Sequence, residues 1–274
     1  MIQASVILST YNEVDWLRKV FWGFEIQSTQ DFEIIVADDG SGQETELFLK
    51  EYQRSSKLDV HRVWHPDRGF RKTEILNRAI ERAATEYLIF TDGDCVPRRD
   101  FVATHLRRRR PGSFLSGGYY KLNRQVSEQL TREDIQQQRC FDADWLHQHG
   151  QPKSLKDLKL VQTPWLATTL NRLTPTKPTW NGHNASTWKR HVMAANGFDS
   201  RMKYGGEDRE FGERLIHAGI RPIQVRYSAI CVHLDHDRGY VTPEMIADNQ
   251  LIREATRRSG VVRTPYGITA LPKK

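Results

Sequence analysis

Between Ala4 and Phe90 the chain alternates short apolar runs with segments of helical spacing, and few folds accommodate that alternation. Ala4 to Ser9 is the first apolar run, followed by a polar turn over Thr10 to Glu13. Val14 to Ile26 then places Trp16, Leu17, Val20, Phe21 and Phe24 on one side of a helix. Phe32 to Ala37 is a second run, stopped by Asp38-Asp39-Gly40-Ser41. Gln43 to Tyr52 reads as helix, and Val60 to Trp64 as a third strand. Thr73 to Ala84 is helical, with Ile75, Leu76, Ala79, Ile80 and Ala83 at apolar positions. Tyr87 to Phe90 is a fourth strand, ending at Thr91-Asp92-Gly93-Asp94. Such βαβ units imply an α/β fold with a mostly parallel central sheet flanked by helices. Ligands bind at the carboxyl ends of those strands. Both acidic turns fall there, so topology alone makes them converge.

The second half is less regular. Glu128 to His149 reads as a polar helix, and Gln151 to Pro178 as mostly loop, a lid over the cleft. Asn181 to Ser186 is a small-residue turn entering a strand. Asp208 to Ala218 is a helix closed by Gly219. Pro222 to Val225 and Ala229 to Val232 are short strands, and Pro243 to Arg258 is a C-terminal helix. The expected organisation is a single domain with a C-terminal helical extension. Its expected parts are residues 1–120, residues 121–240, and a helix and tail over 241–274.

Several classes are set aside by composition. No run approaches the roughly 18 apolar residues of a membrane span. Met1 to Ser9 lacks the basic start and apolar core of a signal peptide, so a cytoplasmic location is expected. Cys95, Cys140 and Cys231 are widely spaced and form neither a zinc pattern nor a disulfide framework. The net charge of +7 is concentrated at Arg98, Arg99 and the run Arg107 to Arg110. The bland account of that run is a solvated helix end. The functional one is contact with an anionic acceptor, or peripheral contact with the anionic inner face of the cell membrane. No nucleic-acid-binding signature accompanies the arginines, so no nucleic-acid partner is expected.

Four segments carry the chemistry. Asp92-Gly93-Asp94 puts two carboxylates after a buried strand, where they can hold Mn2+ or Mg2+ against a diphosphate; the plain alternative is an ordinary Asp-Gly turn. Gly205-Gly206-Glu207-Asp208 sets two acids at a helix start behind two glycines. N-capping explains one of these acids better than both. His233, at a strand end with Asp235 and His236 nearby, can complete a metal site with Asp94, although a lone histidine is commonly structural. Ser9-Thr10-Tyr11-Asn12-Glu13 offers a ring to stack on a base and polar groups for ribose; its plain alternative is an N-cap at Asn12.

In this order the segments resemble family 2 glycosyltransferases of the GT-A fold. The donor half matches through Ser5-Val6-Ile7-Leu8-Ser9-Thr10-Tyr11-Asn12-Glu13, Ile35-Val36-Ala37-Asp38-Asp39-Gly40-Ser41 and Phe90-Thr91-Asp92-Gly93-Asp94. The back half is similar to galactosyltransferase-type C-terminal regions through Asn181-Gly182-His183-Asn184-Ala185-Ser186, Asn196-Gly197-Phe198-Asp199 and Gly205-Gly206-Glu207-Asp208. Two departures stand out. Arg209 occupies the place of a third acid, and Ile230 that of a metal-binding methionine three residues before the histidine.

The resemblance implies an inverting, metal-dependent transfer of a hexose from a UDP-sugar to a glycan or glycolipid acceptor in cell-surface polysaccharide synthesis. The hexose would be galactose-like, N-acetylgalactosamine-like, glucose or glucuronate. Ser9, Tyr11 and Glu13 would line the nucleoside pocket, and Asp39 would bond uracil or ribose. Arg71 and Lys72 would lie near the base or phosphates. Asp92, with Gly93, would contact ribose or a metal-bound water. Asp94 and His233 would bind Mn2+ or Mg2+, and Asp208 would be the catalytic base. Gly206, Glu207, Asn184 and Trp180 would contact acceptor or sugar. A nucleotidyltransferase would share the sheet but needs a glycine-rich loop after its first strand, which Ser9 to Glu13 lacks. A nonenzymatic nucleotide- or glycan-binding module would not need Asp208.

Overall fold

The computed structural model describes residues 1–237 and 241–271. The expected alternation is present: β1 (Ala4–Thr10), α1 (Val14–Glu25), β2 (Phe32–Asp38), α2 (Gln43–Ser55), β3 (Asp59–Trp64), α3 (Lys72–Arg82) and β4 (Tyr87–Asp92). After these come β5 (Cys95–Pro97), α4 (Phe101–Arg108), β6 (Ser113–Ser116), β7 (Gly118–Lys121), α5 (Arg124–Gln129), α6 (Arg132–Gln136), α7 (Ala143–Gln148) and α8 (Pro164–Leu173). The chain continues through β8 (Ala185–Trp188), α9 (Lys189–Ala194), α10 (Glu207–His217), β9 (Arg221–Gln224), β10 (Ile230–His233) and α11 (Pro243–Ser259).

Seven strands form the central sheet in the order β3-β2-β1-β4-β8-β6-β9. β8 runs antiparallel to β4 and β6; the other pairings are parallel. β8, far along the chain, lies between β4 and β6. A second sheet, β5-β10-β7, packs beside it. Alternate residues of β1 feed opposite faces, as the pleat requires. Val6 and Leu8 enter one apolar cluster with Phe21 and Phe24 of α1, while Ile7 enters the other with Ile75 and Ile80 of α3. Trp16, Leu17, Val20, Phe21 and Phe24 are all buried. At about 1.5–3 kcal/mol per fully buried large apolar side chain, this face anchors α1 to the sheet.

Two expectations are corrected. Glu128 to His149 is not one helix. Thr131 forms a reciprocal cap with Asp134, and Gln138 adopts a left-handed conformation at φ 61°, so the segment breaks into α5, α6 and α7. Gln151 to Pro178 is not mostly loop. Ser154 and Asp157 cap a three-ten turn over Leu155–Leu160, and Pro164 begins α8 in the position that suits proline.

α11 lies against α10, and the tail after it turns back over the molecule. Asn196 Nδ2 donates to Thr264 O, Ile268 N donates to Asn196 O, and Ile268 is buried among the α3-side residues. Among the described residues, no helix is long and apolar enough to cross a membrane.

Candidate active site

The carboxyl ends of β1, β2 and β4 open onto a cleft of about 920 Å³. Ser9, Tyr11, Glu13, Asp39, Lys72, Asp92, Gly93, Asp94, Gly206, Glu207, Asp208 and His233 all line it. The other three expected contacts lie outside. Trp180 is 1% exposed and packs edge-on against Phe90, Phe114 and Phe211. A ring enclosed in this way presents no face to a sugar, so Trp180 is a core residue. Asn184 is fully buried: its Oδ1 faces His105 Nε2, and its Nδ2 donates to Gly118 O and Ala229 O. It joins β6–β7 to the 229 turn and has no group left for an acceptor. The Arg71 guanidinium points to Glu74 and Pro66 O, away from the cleft; only its backbone N–H serves the site, donating to Asp39 Oδ2 at 2.9 Å.

The entry turn after β1 is strained. Asn12 and Glu13 both have positive φ, 54° and 51°. Such non-glycine conformations cost on the order of 1–3 kcal/mol and gather at functional sites. Asn12 does not cap α1. Its Oδ1 receives Gly42 N at the start of α2, and its N–H donates to Ser41 Oγ. Tyr11 extends over the cleft, half exposed, with its hydroxyl donating to Asp67 at 2.9 Å. Asp39 is buried and held on both oxygens, by His65 Nε2 at 2.7 Å and by Arg71 N.

Deeper in the cleft, Lys72 Nζ donates to Asp92 Oδ1 at 2.8 Å, the oxygen that also receives Ser9 Oγ. Burial alone would lower the lysine's pKa, but Asp92, then Asp208 and Glu207, raise it well above the usual range. Lys72 is therefore a fixed cation among three carboxylates. Asp208 opens α10. Gly182 N donates to its Oδ2 at 2.8 Å, while its Oδ1 is buried with no hydrogen-bond partner. A Cβ on Gly182 would stand 2.7 Å from that Oδ1, so the close approach requires glycine. Burial raises the Asp208 pKa against the lowering pull of Lys72. Burial, then the Asp208 charge, pushes Glu207 up to about 7; its carboxylate receives Gly205 N at 2.8 Å. An acid with one anchored oxygen and one unpaired oxygen, made more basic by its surroundings, suits proton acceptance.

Asp94 lies at the other side of the cleft. His236 Nε2 is 2.8 Å and His233 Nε2 3.4 Å from its Oδ2. Burial would raise the Asp94 pKa, but His236 and His233 bring it far below the carboxylate range. His233 Nδ1 is buried without a partner. Asp94, Cys95 and His233 place their ligand atoms within 4.8 Å of one another. Burial, Cys231 and Asp94 hold the Cys95 thiol well above its usual pKa, and its Sγ–H points to Asp94 Oδ1. One carboxylate with two imidazoles is a donor set that fits a divalent cation.

Three further groups escaped the reading of the sequence: Gly182, His183 and Tyr119. The Tyr119 ring packs on His183 and His233 at the cleft wall. Burial lowers His183 to about 4, so it is neutral at neutral pH. His183 and Gly182 stand inside the quoted Asn181–Ser186 motif; Tyr119 has no signal beyond its place after an apolar strand.

Residues 5–132 match the sequence model of glycosyl transferase family 2. Validoxylamine A glucosyltransferase of Streptomyces hygroscopicus subsp. jinggangensis is 27% identical over 253 residues, covering 85% of this chain and 56% of the relative. Chondroitin synthase of Escherichia coli is 24% identical over 237 residues, covering 78% and 32%. The chain thus spans from about a third to just over half of these relatives' lengths. Among solved structures, Staphylococcus aureus TarS 1-349 in complex with UDP-GlcNAc superposes with a TM-score of 0.60 at 16% identity, covering 92% of this chain and 64% of that one. The mannosyltransferase PcManGT from Pyrobaculum calidifontis, in complex with GDP-Man and Mn2+, gives 0.58 at 19% identity, covering 93% and 61%. These likenesses establish the GT-A fold. With its sheet order, its acidic strand-end turns and the family match over residues 5–132, the chain is similar to glycosyl transferase family 2, and the named relatives support a glycosyltransferase of that family.

Proposed function

We propose that the chain transfers a hexose from a UDP-sugar to a hydroxyl of a glycan or glycolipid acceptor, with inversion at the anomeric carbon. The observation that carries this reading is Asp208: a buried carboxylate with one oxygen anchored by Gly182 and the other without a hydrogen-bond partner, in the same cleft as Asp92, Asp94 and Lys72. In this reading Asp208 Oδ1 takes the proton of the attacking hydroxyl. Attack comes from the face opposite the diphosphate, so an α-linked donor yields a β-linkage. Tyr11 and Asp39 hold the nucleoside. Lys72 holds Asp92 in place and adds positive charge near the phosphates. Glu207 and Gly206 position sugar or acceptor. Asp94 and His233, with His236, would hold a divalent cation, which when bound stabilises the leaving diphosphate. The two imidazoles favour Mn2+ over the harder Mg2+.

The division into a donor half over 1–120 and an acceptor half over 121–240 follows from these roles. A UDP-linked donor fits the UDP-GlcNAc complex of TarS, and a glucosyl sugar fits the name of validoxylamine A glucosyltransferase. A polysaccharide or lipid-carried acceptor at the cytoplasmic membrane face fits the basic surface.

The test is release of nucleoside diphosphate from a panel of sugar nucleotides, with Mn2+ and with chelator. Slow UDP release from one donor, abolished by chelator and by Asp94→Ala, supports the reading and names the sugar. No release from any donor, with no calorimetric binding of UDP in the presence of Mn2+, sinks it.

A further inference from the structure

Outside the cleft, the segment from Lys153 to Leu173 carries apolar surface that the transfer reaction does not use. Leu155 is 90% exposed, Leu158 53%, Trp165 70% and Leu173 73%. Scattered single apolar residues are ordinary on a surface, whereas a contiguous apolar patch marks an interaction site; here Leu155 and Leu158 share a groove with Leu166 of α8. These side chains are held outward by regular structure, the capped turn at Leu155–Leu160 and α8. Asp157 fixes the turn from beneath by receiving the Tyr120 hydroxyl at 2.8 Å. Leu155, Leu158 and Leu166 line one groove of about 610 Å³ that joins the turn to α8.

Charge says what covers this face. From Gln151 to Pro178 the cations are Lys153, Lys156, Lys159, Arg172 and Lys177, and the one acid is Asp157, already committed to Tyr120 and His147. Arg108 Nη2 donates to Thr168 Oγ1 at 2.7 Å, which joins the run Arg107 to Arg110 to α8. Lysines therefore interleave with the exposed leucines, and the one acid among them, Asp157, is bound to Tyr120 and His147. Protein–protein interfaces are depleted of lysine, whereas surface-bound apolar segments flanked by lysine suit anionic lipid. The segment also borders the cleft. Lys159 Nζ donates to Tyr119 O at 3.0 Å and lies over the Tyr119 ring, which forms part of the cleft wall.

We propose that residues 153–173 dock the chain on an anionic lipid bilayer, with Leu155, Leu158, Trp165 and Leu173 entering the boundary between headgroups and acyl chains. The lysines and Arg172 engage lipid phosphates, each contributing a share of the surface attraction. Only the orientation rests on the transferase reading: docking turns the cleft mouth toward the lipid–water boundary, where a lipid-carried acceptor stands.

Vesicle flotation tests this without any turnover. The chain floats with mixed phosphatidylcholine–phosphatidylglycerol vesicles and not with phosphatidylcholine alone. Two double variants, Leu155→Gln with Trp165→Gln and Lys153→Glu with Lys156→Glu, each weaken that binding by about tenfold or more. Brominated lipid quenches tryptophan fluorescence in the wild type and less in Trp165→Phe. All variants keep their melting temperature, because the altered side chains are exposed, and they bind UDP as the wild type does. A failure of docking is thereby separated from a failure of the donor site. Absence of flotation overturns the proposal, and so does flotation that neither double variant weakens. A dimer that Leu155→Gln with Trp165→Gln dissociates, without vesicle binding, gives the face to a second copy of the chain instead.

Discussion

At Asp208, one backbone N–H and one missing side chain decide where the unpaired oxygen points. Gly182 supplies both: its N–H anchors Oδ2, and its lack of Cβ leaves room for Oδ1. Asp208→Asn removes the proposed proton acceptor but keeps the shape. Its kcat should fall by roughly 10²–10⁴, the usual range for a general base, while calorimetric UDP binding stays close to that of the wild type. Loss of UDP binding instead would assign the residue to the donor. Gly182→Ala should fold and bind UDP, yet lose on the order of a hundredfold in kcat, since displacing a reacting group by an ångström costs about that much; single-turnover kinetics decide it. At this scale the sequence exposed the acids and hid their surroundings. Asp92, Asp94, Glu207 and Asp208 stand beside glycines at strand and helix ends, and the structure brings all four into one cleft. Trp180 and Asn184 misled because aromatic rings and amides look the same in a core and in a site, and only burial separates them.

Among the elements, α11 has the strongest indirect hold on the site. Asn249 on that helix is buried; its Oδ1 receives Lys203 N, and its Nδ2 donates to Lys203 O and Gly205 O. It thereby grips the loop that leads into Glu207 and Asp208. Asn249→Ala should lower kcat more than it raises the donor KM, because the acids shift while the proposed nucleoside pocket at the ends of β1 and β2 does not. An equal rise in KM with unchanged kcat would contradict this. One turn along α10, Glu210 and Arg214 form a fully buried pair. Thr256 of α11 donates to Glu210, and Arg214 donates to Ala195 O and Gly197 O. Arg214→Met leaves a buried carboxylate without its cation and should cost about 3–5 kcal/mol, read as a fall in the urea midpoint. The first four strands and three helices were legible from period alone. The middle of the chain was not, because Thr131 and Ser154 set local caps inside segments whose average composition reads as continuous helix or as loop.

For the molecule as a whole, the acids of the cleft tie stability to pH. Glu207 is raised to about 7 in the folded state from an ordinary 4.5. The folded chain therefore holds a proton that the unfolded chain has released between those values. This contribution is complete below about pH 4.5 and is lost as pH rises through 7, at no more than about 1.4 kcal/mol per pH unit. Chemical denaturation across that window should show the decline, and Glu207→Gln should flatten it; a profile identical in both proteins would refute the assignment. Ligand linkage acts in the other direction. Mn2+ with UDP at a hundred times its Kd should add about 2.7 kcal/mol, measured as a rise in Tm that chelator reverses and Asp94→Asn removes.

The strand order also sets a schedule for synthesis. β4 lies in the middle of the sheet, but its second neighbour, β8, follows roughly 90 residues later in the chain. At about 5–20 residues per second, a growing chain carries the open side of β4, with Leu88 and Phe90, for several seconds before Ala185–Trp188 leaves the ribosome. During that interval the half-built sheet is open to pairing with another nascent chain. Slow translation through residues 93–184 should therefore lower the yield of native protein, and chaperones that shield strand edges should restore it.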